Sequence, residues 1–388
     1  MKKQFSTFPT LLFGRGTARQ IETIIQRLNC ERIVIISDQM FCHTKHIKRL
    51  ETWICLAGKR VETKYITSEK IEMTNLVQTT SHLLDDSCDL LIGYGRKHIM
   101  NVTKWLSVML KNELAFINGL DTKQIKVSIP TILIPLDMTT GDELVPFISL
   151  YQQGNLLNVF HREFTPSHVI YDPTIITKGA SYQKVGTYIY ALAHAIETYF
   201  FSLHRGWMTT CALKAMKLIF RYIMRVTYNE KDEQASEAML RASMLLGMAK
   251  IDTPKRMLTE SVIEPIVKKF QLPYTVALGL MLPYIVKIYE KINRRRIGYI
   301  MEELHVNIFD EKTAFDYLTF RIANIIRSLG FPSSLAMLDI DKRDIKILTD
   351  YAYALWHENN PTMAKLIKLD FASIYETALS GKIDNPFN

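Results

Sequence analysis

The feature that most constrains the fold is a change of pattern part-way along the chain. Up to about Pro173, short apolar runs alternate with stretches of helical periodicity. This alternation is typical of a mostly parallel sheet covered by helices on both faces. From about Ser181 onward, apolar residues recur at helical spacing without a convincing strand. We therefore predict an α/β domain over residues 1–175 and an all-helical domain over residues 176–388.

The elements of both halves are predicted from their apolar spacing and the turn residues that bound them. Predicted strands are Arg32–Ser37, Val61–Ile66, Leu90–Gly93 and Thr131–Pro135, with a β-hairpin from Val145–Tyr151 and Leu156–Phe160. Predicted helices are Thr17–Leu28 and Thr74–Leu84 in the first half, and Thr209–Val226, Gln234–Ala249, Thr275–Ile288 and Phe315–Leu329 in the second.

Composition and charge exclude several classes of function. The chain has 388 residues, too many for one hydrophobic core, and it is 48% hydrophobic with no run of eighteen apolar residues. Its start lacks the apolar core of a signal peptide, so we expect no membrane partner. The net charge of +9 is dispersed, and we interpret the densest run, Arg294–Arg296, as a solvated helix face, so no nucleic-acid partner is expected. Five scattered cysteines without C-x-x-C spacing indicate a reducing compartment, by default the cytoplasm.

Polar side chains follow three of the predicted strands, at the edge where a parallel sheet places its ligands. Asp38 could accept hydrogen bonds from ribose hydroxyls, or it could cap a helix. Residues 93–98 open a helix whose N–H groups could receive a pyrophosphate. Arg96 and Lys97 in this loop could add charge for a phosphate or fill the space that it needs. Residues 135–143 form a third loop, rich in hydroxyls and carboxylates.

A histidine on an apolar face marks the second half of the chain. Within Gly186–Phe200, Tyr190 and His194 are four residues apart and therefore share one face of a helix. Small apolar residues flank His194, so a partner could approach it closely. A lone histidine in such a setting is usually a core residue, and any further role depends on what other segments bring to it.

These loops and this helix resemble the iron-containing (group III) alcohol dehydrogenase family over essentially the whole chain. The resemblance implies a Rossmann-like sheet domain and an all-helical domain, the fold shared with dehydroquinate synthase. It also implies NAD(H)-linked chemistry on a small alcohol or aldehyde, and a homodimer formed through the α/β half. The motifs that carry it are Pro9–Gly16, Ile92–Lys104 in place of GGGS-x-x-D-x-x-K, Pro130–Glu143 for PT-x-x-IPTTAGTGSE, Tyr171–Pro173 with Ala191–Tyr199 for DP…DAL-x-HAIEAY, Glu237–Ala249, Leu272–Pro283, Gly330–Pro332 and Asn359–Pro361.

The metal site that the resemblance implies is altered in this sequence. Family members hold a divalent metal with one aspartate and three histidines from the helical domain. No histidine occurs between His204 and His305, so no small realignment restores the set. We expect no bound iron or zinc, because His194 and Glu260 alone remain as candidate metal ligands. Position by position, the aspartate falls on Tyr190, the three histidines on His194, Glu260 and Tyr274, and a proton-relay histidine on Glu264.

The cofactor loops that the resemblance implies are altered less. The family's three-glycine loop corresponds to Gly95-Arg96-Lys97, so two glycines have become bulky cations. This substitution would carry a φ penalty if either position needed φ > 0. Asp38 would favour NAD over NADP, because a 2′-phosphate would meet its charge. The implied cofactor-binding residues are Asp38, Gly93, Gly95, Arg96, Lys97, Asn101, Thr139 and Thr140.

Three functions remain open from the sequence, and whether the chain is an enzyme is not decided. The first is an NAD(H)-linked oxidoreductase without the usual metal, in which Tyr190, Tyr274 or His194 donates the proton, supported by the nearby glutamates. The second is an inactive relative that binds a nucleotide or another anion, or acts as an assembly partner. Its tyrosines would fill the place of the metal and hydrogen-bond to Glu260 and Glu264. The third is an enzyme for a phosphorylated substrate, which the cations of the 93–98 loop and a further arginine, at position 256, would hold.

Overall fold

The protein divides into two compact units. The first unit is Met1–Lys178 with Lys250–Pro254, and the second is Gly179–Ala249 with Lys255–Asn388. None of the helices described is long and apolar enough to cross a membrane. The computed structural model describes residues 9–42, 44–67, 72, 88–112, 122–152, 155–176, 182–201, 206–229, 231–250 and 258–387.

A six-stranded, fully parallel sheet is the centre of the first unit, with strand order β1-β8-β5-β4-β2-β3. The central strands β4 and β5 are buried along their whole length, which is why their sequences are continuous apolar runs. A separate antiparallel pair is formed by β6 and β7. The strands are β1 (Thr10–Phe13), β2 (Arg32–Asp38), β3 (Arg60–Ile66), β4 (Leu90–Gly95), β5 (Thr131–Pro135), β6 (Phe147–Gln152), β7 (Asn155–Phe160) and β8 (His168–Tyr171).

Three described helices belong to this unit. They are α1 (Ile21–Leu28), α2 (Lys45–Leu56) and α3 (Lys97–Met109). Helices α1 and α2 each bury one isoleucine- and leucine-rich face in the same core as strands β2 and β4. The four predicted strands, the hairpin and the helical stretch after Thr17 are confirmed, although that stretch begins with a 3₁₀ turn. The predicted helix Thr74–Leu84 lies outside the described residues.

Register brings three loops to one edge of the sheet. Ser37 pairs with Tyr94 across β2 and β4, and Gly95 pairs with Pro135 across β4 and β5. Because the strands are parallel, the residues that follow each of them emerge side by side. Asp38, the loop that opens α3 and the polar loop after β5 therefore meet.

A buried carboxylate fixes the ends of β1 and β8. Asp172 directly follows β8 and is 1% exposed. Its Oδ1 accepts hydrogen bonds from the backbone N–H of Gly16 at 3.0 Å and of Thr174 at 2.9 Å, and its Oδ2 accepts one from Ala18 at 3.0 Å. The carboxylate thus satisfies backbone donors of two segments that are more than 150 residues apart in sequence.

The second unit contains ten helices among its described residues and no strand there. Helix α4 packs against α5 and α8, and Phe200 of α4 stacks on Tyr289 of α8 with a ring-centroid distance of 5.0 Å. The helices are α4 (Tyr182–Phe201), α5 (Trp207–Tyr228), α6 (Glu233–Lys250), α7 (Leu258–Phe270), α8 (Tyr274–Asn293), α9 (Ile297–Glu303), α10 (Glu311–Ser328), α11 (Ile345–Asn359), α12 (Pro361–Leu366) and α13 (Phe371–Ser380). All four helices predicted for this half of the chain are confirmed.

The arginine run between α8 and α9 corrects one expectation. Arg294–Arg296 forms a 3₁₀ turn rather than a uniformly solvated helix face. Arg296 is buried, and its guanidinium donates a hydrogen bond to the backbone carbonyl of Tyr199, whose ring it also faces at 5.6 Å. This arginine is therefore a structural residue that joins the turn to α4.

We expect Asp172→Ala to lower the free energy of unfolding by about 1–3 kcal/mol, because it removes the buried acceptor of three backbone N–H groups and leaves the buried one, that of Ala18, without an acceptor. Urea denaturation of the variant and the wild type measures the change. Asp89→Ala is the matched control, since Asp89 also accepts two backbone N–H groups but is exposed to water. An equal loss in the two variants would contradict the assignment of the effect to burial.

Candidate functional site

Three aromatic rings come together at the positions where the resemblance places metal ligands. Tyr190 and His194 lie one turn apart on α4, and their rings meet edge-on with centroids 4.3 Å apart. Tyr274, the first residue of α8, brings its ring to 5.6 Å from that of Tyr190, again edge-on. Two phenols and one imidazole therefore occupy three of the four implied ligand positions.

Two glutamates on α7 complete this group. Glu260 and Glu264 are one turn apart, and the negative charges of both carboxylates raise the pKa of Tyr274. Glu264 forms an ion pair with Lys268 on the same helix at 2.8 Å. Among the described residues, the buried Oη of Tyr274 has no hydrogen-bond partner. The expectation that this tyrosine hydrogen-bonds to Glu260 or Glu264 is therefore wrong.

The environment of Tyr274 keeps its phenol protonated. Burial raises its pKa well above the ordinary value of 10, and the nearby phenol of Tyr190 and carboxylates of Glu260, Glu197 and Glu264 raise it further. A phenol with a raised pKa holds its proton more tightly, so it is a weaker acid than free tyrosine. Within the described part of the chain, no three His, Cys, Asp or Glu side chains are grouped so that they could hold a metal ion.

Glu197 was not predicted as part of this group. It lies three residues after His194 on α4, is 1% exposed, and accepts hydrogen bonds from the backbone N–H of Thr259 at 3.2 Å and its hydroxyl at 2.5 Å. Burial raises the pKa of Glu197 to about 8, although the hydrogen bonds from Thr259 oppose that shift. The sequence signal was an acidic residue among apolar helix positions, but nothing in the sequence identified Thr259 as its partner.

At the sheet edge of the first unit, Asp38 is bound by the loop that opens α3. Its carboxylate is buried and accepts a hydrogen bond from the guanidinium of Arg96 at 3.1 Å, while Nε2 of His98 lies 2.6 Å from the same oxygen. The backbone N–H of Arg96 also donates to it, at 3.3 Å. Burial alone would raise the pKa of Asp38, but the hydrogen bonds and charges of His98 and Arg96 hold it below its ordinary value.

A second carboxylate at this edge is held in the same way. Asp142, in the loop after β5, is buried between Nζ of Lys97 at 2.7 Å and Nζ of Lys250 at 3.1 Å. Lys104 of α3 is completely buried and donates to the backbone carbonyls of Asp142 at 2.5 Å and Val145 at 2.8 Å. Burial lowers the pKa of Lys104 to about 8. Sequence reasoning named Lys97 as a cofactor contact but did not foresee Asp142 or Lys250 as its neighbours.

The glycines that remain in the loop, Gly93 and Gly95, allow helix α3 to approach strand β4 closely. A Cβ at Gly93 would lie 2.6 Å from the Thr103 hydroxyl of α3, and one at Gly95 would lie 2.7 Å from Ile99. Both glycines therefore let α3 pack closely on β4. Arg96 has φ −85° and Lys97 begins the helix, so neither substitution carries the φ penalty considered from the sequence.

The other predicted cofactor residues are buried around this edge. Thr139 donates its hydroxyl to the carboxylate of Glu143 at 2.5 Å. Among the described residues, Oδ1 of Asn101 and Oγ1 of Thr140 are buried without a hydrogen-bond partner. Buried polar atoms are almost always paired, so these two oxygens could still receive hydrogen bonds from a ligand.

Family models cover nearly the whole chain. The model described as iron-containing alcohol dehydrogenase matches residues 9–173, and the model of the C-terminal part of the Fe-containing alcohol dehydrogenase family matches residues 184–379. The chain belongs to the iron-containing alcohol dehydrogenase family. The resemblance inferred from the motifs is thereby confirmed.

Individual relatives of this alcohol dehydrogenase family member are distant in sequence. It is 22% identical to the NAD-dependent methanol dehydrogenase of Bacillus methanolicus, over 96% of this chain and 98% of that protein. It is 23% identical to long-chain-alcohol dehydrogenase 1 of Geobacillus thermodenitrificans, over 98% of each. Both relatives are matched along nearly their full length, so the likeness extends over the two units.

Solved structures share the fold of this family member. A 1,3-propanediol oxidoreductase superposes with a TM-score of 0.85 at 18% identity, covering 97% of this chain and 100% of that one. Sulfoacetaldehyde reductase from Bifidobacterium kashiwanohense in complex with NAD⁺ gives a TM-score of 0.83 at 21% identity, covering 98% and 99%. The predicted fold, a Rossmann-like parallel sheet followed by a helical region, is confirmed.

We expect Glu197→Gln to flatten the dependence of stability on pH. Wild-type Glu197 keeps its proton in the folded state up to about pH 8, whereas the unfolded chain releases it near the ordinary glutamate pKa. Between these values the unfolded state binds fewer protons, so wild-type stability falls as the pH rises. Between about pH 5 and pH 8, the variant should lose about 1–3 kcal/mol less than the wild type.

Urea denaturation at several pH values in this range measures the difference. Glu237→Gln, which removes a partly exposed carboxylate of α6 that pairs with Arg241, is the control and should keep the wild-type slope. An unchanged slope in Glu197→Gln would show that Glu197 is ionised in the folded protein.

Proposed function

We propose that this protein is a non-catalytic member of the iron-containing alcohol dehydrogenase family, with a binding or assembly role. The observation that carries the proposal is the group formed by Tyr190, His194, Glu260 and Tyr274 at the implied metal positions. It includes a buried phenol without a hydrogen-bond partner among the described residues and with a strongly raised pKa. Such a group favours a non-catalytic role over metal-dependent hydride transfer.

The residues present do not fit the metal that the family name implies. Iron and zinc are held by imidazole, carboxylate or thiolate ligands in a nearly complete set. Here His194 and Glu260 supply one imidazole and one carboxylate. Tyr274 could coordinate a metal only as phenolate, and its raised pKa opposes that ionisation. The described residues contain no group of three conventional ligands to compensate.

The second candidate is an NAD(H)-linked alcohol or aldehyde oxidoreductase that works without the metal. Two relatives named for dehydrogenase and reductase chemistry with NAD favour it, as does the retention of Asp38 at the end of β2. Reduction of a carbonyl by a nicotinamide would then need a proton donor among Tyr190, His194 and Tyr274. The surroundings of Tyr274 weaken it as an acid, and Glu264, the implied relay position, is paired with Lys268. The geometry therefore favours the non-catalytic function.

Three further expectations about the cell biology of the protein belong to this proposal. A cytoplasmic location follows from the scattered cysteines, all five of which are free. A homodimer formed through the sheet-containing unit follows from the family resemblance. No nucleic-acid partner is expected, because the positive charges are dispersed along the chain.

We expect the wild-type protein to retain no more than about 0.1 equivalents of zinc or iron after incubation with metal and desalting. The variant Tyr190→Asp/Glu260→His/Tyr274→His restores the implied donor set around His194, and it should retain about one equivalent. Elemental analysis of both proteins measures the content. Tyr190→Phe/Tyr274→Phe is the control, since it keeps the rings and adds no ligand. Stoichiometric metal in the wild type would refute the proposal.

We expect no oxidation of NADH by the wild-type protein with small aldehydes, with or without added metal. The absorbance of NADH measures turnover. If the wild type does turn over, Tyr190→Phe and Tyr274→Phe are then measured separately, and a large fall in kcat in either would favour a phenol donor. Turnover that neither substitution changes would exclude the phenols and leave His194 as the donor to test.

A further inference from the structure

The loop that opens α3 places its own cations at the nucleotide-binding edge of the sheet. In this fold class a strand-end carboxylate contacts ribose hydroxyls, and the following helix receives the pyrophosphate on its N–H groups. Here the strand-end carboxylate, Asp38, is already bound by Arg96 and His98 at 3.1 and 2.6 Å. Arg96 and His98 therefore occupy the carboxylate of Asp38 that the ribose hydroxyls would otherwise contact.

The backbone of the loop is also engaged. The N–H of Arg96, the residue before the first turn of α3, points to Oδ2 of Asp38 at 3.3 Å. Lys97 extends in the other direction and binds Asp142 at 2.7 Å. The two side chains therefore span from the end of β2 to the loop after β5, on either side of the helix N-terminus. Because both cations are paired, neither supplies an uncompensated charge for a phosphate.

The frame beneath these side chains is that of a nucleotide site. Gly93 and Gly95 still let α3 pack closely on β4, and Arg96 has an ordinary negative φ. Oδ1 of Asn101 and Oγ1 of Thr140 are buried without a hydrogen-bond partner among the described residues. Three consecutive side chains, those of Arg96, Lys97 and His98, therefore bind the strand-end carboxylate and the loop after β5, on a backbone that keeps the close packing of α3 on β4.

We propose that Arg96, Lys97 and His98 act as an internal occupant of the dinucleotide site and exclude NAD(H) from it. The inference concerns the first unit alone and does not rest on the loss of metal chemistry proposed for the second. Charge alone would predict that removing cations weakens the binding of an anionic cofactor, and the proposal predicts the opposite. Removing two cations should strengthen the binding of an anionic cofactor, because the gain in space and the release of the Asp38 carboxylate from Arg96 outweigh the loss of positive charge.

The test compares NADH binding by cofactor fluorescence in the wild type and in Arg96→Gly/Lys97→Gly/His98→Ser, which returns the loop to the family's glycines and serine. Wild-type protein should show no saturation up to about 1 mM, and the variant should bind at least about tenfold more tightly. Lys59→Gly is the matched control. It removes a lysine of the same unit that is ion-paired to Glu31 at the opposite end of the sheet, and it should bind as the wild type does.

A second variant keeps the test decisive if the glycines destabilise the start of α3. Arg96→Ala/Lys97→Ala shortens the same side chains without adding backbone freedom, and circular dichroism verifies that it is folded. It should also bind NADH more tightly than the wild type. Micromolar binding by the wild type would overturn the proposal. Equal or weaker binding by the folded variants, or an equal gain in Lys59→Gly, would do so as well.

Discussion

A carboxylate buried at the end of a parallel strand must be matched by cations or hydrogen-bond donors, and this requirement governs the sheet edge of the protein. Asp38 and Asp142 are both almost inaccessible to water. An isolated buried charge is costly, and breaking a buried pair on one side leaves the other charge uncompensated. In a nucleotide-binding member of this fold class, a ligand can supply donors to the strand-end carboxylate. In this chain Arg96 and His98 match Asp38, and Lys97 and Lys250 match Asp142.

In the helical unit, two buried acidic groups, Glu197 and Tyr274, are kept neutral rather than ionised and matched by cations. The group around Tyr274 contains three carboxylates and two phenols, and the basic side chain shown to pair with one of them is Lys268 on Glu264. Burial favours the neutral forms of Glu197 and Tyr274, and the pKa values of both groups are raised. A divalent cation would reverse that balance and favour the ionised forms. Glu197 and Tyr274 therefore keep their protons at neutral pH in this environment.

Much of the fold could be predicted from the sequence, and the reasons for the misses are physical. Strands such as β4 and β5 are continuous apolar runs bounded by polar turns, so they are visible without a structure. Strand β8 has only four residues, which is too short for a periodicity to be distinctive. The positions of Tyr190, His194 and Tyr274 were identified through the family resemblance, and their contacts follow from helix packing. The pairing of Lys97 with Asp142, and of Glu197 with Thr259, depends on register and rotamers across distant segments, which no local pattern encodes.

The substitutions at the sheet edge form a coupled set. Arg96 would lose the carboxylate that it binds if Asp38 were absent, and Asp38 would be a buried, weakly matched charge if Arg96 and His98 became glycine and serine without a ligand. Packing limits where such changes can occur, because side chains at Gly93 or Gly95 would collide with α3. The residues just beyond those glycines have room for side chains and ordinary backbone angles. The loop can therefore make internal ion pairs at this edge while the sheet and helix that carry it keep their packing.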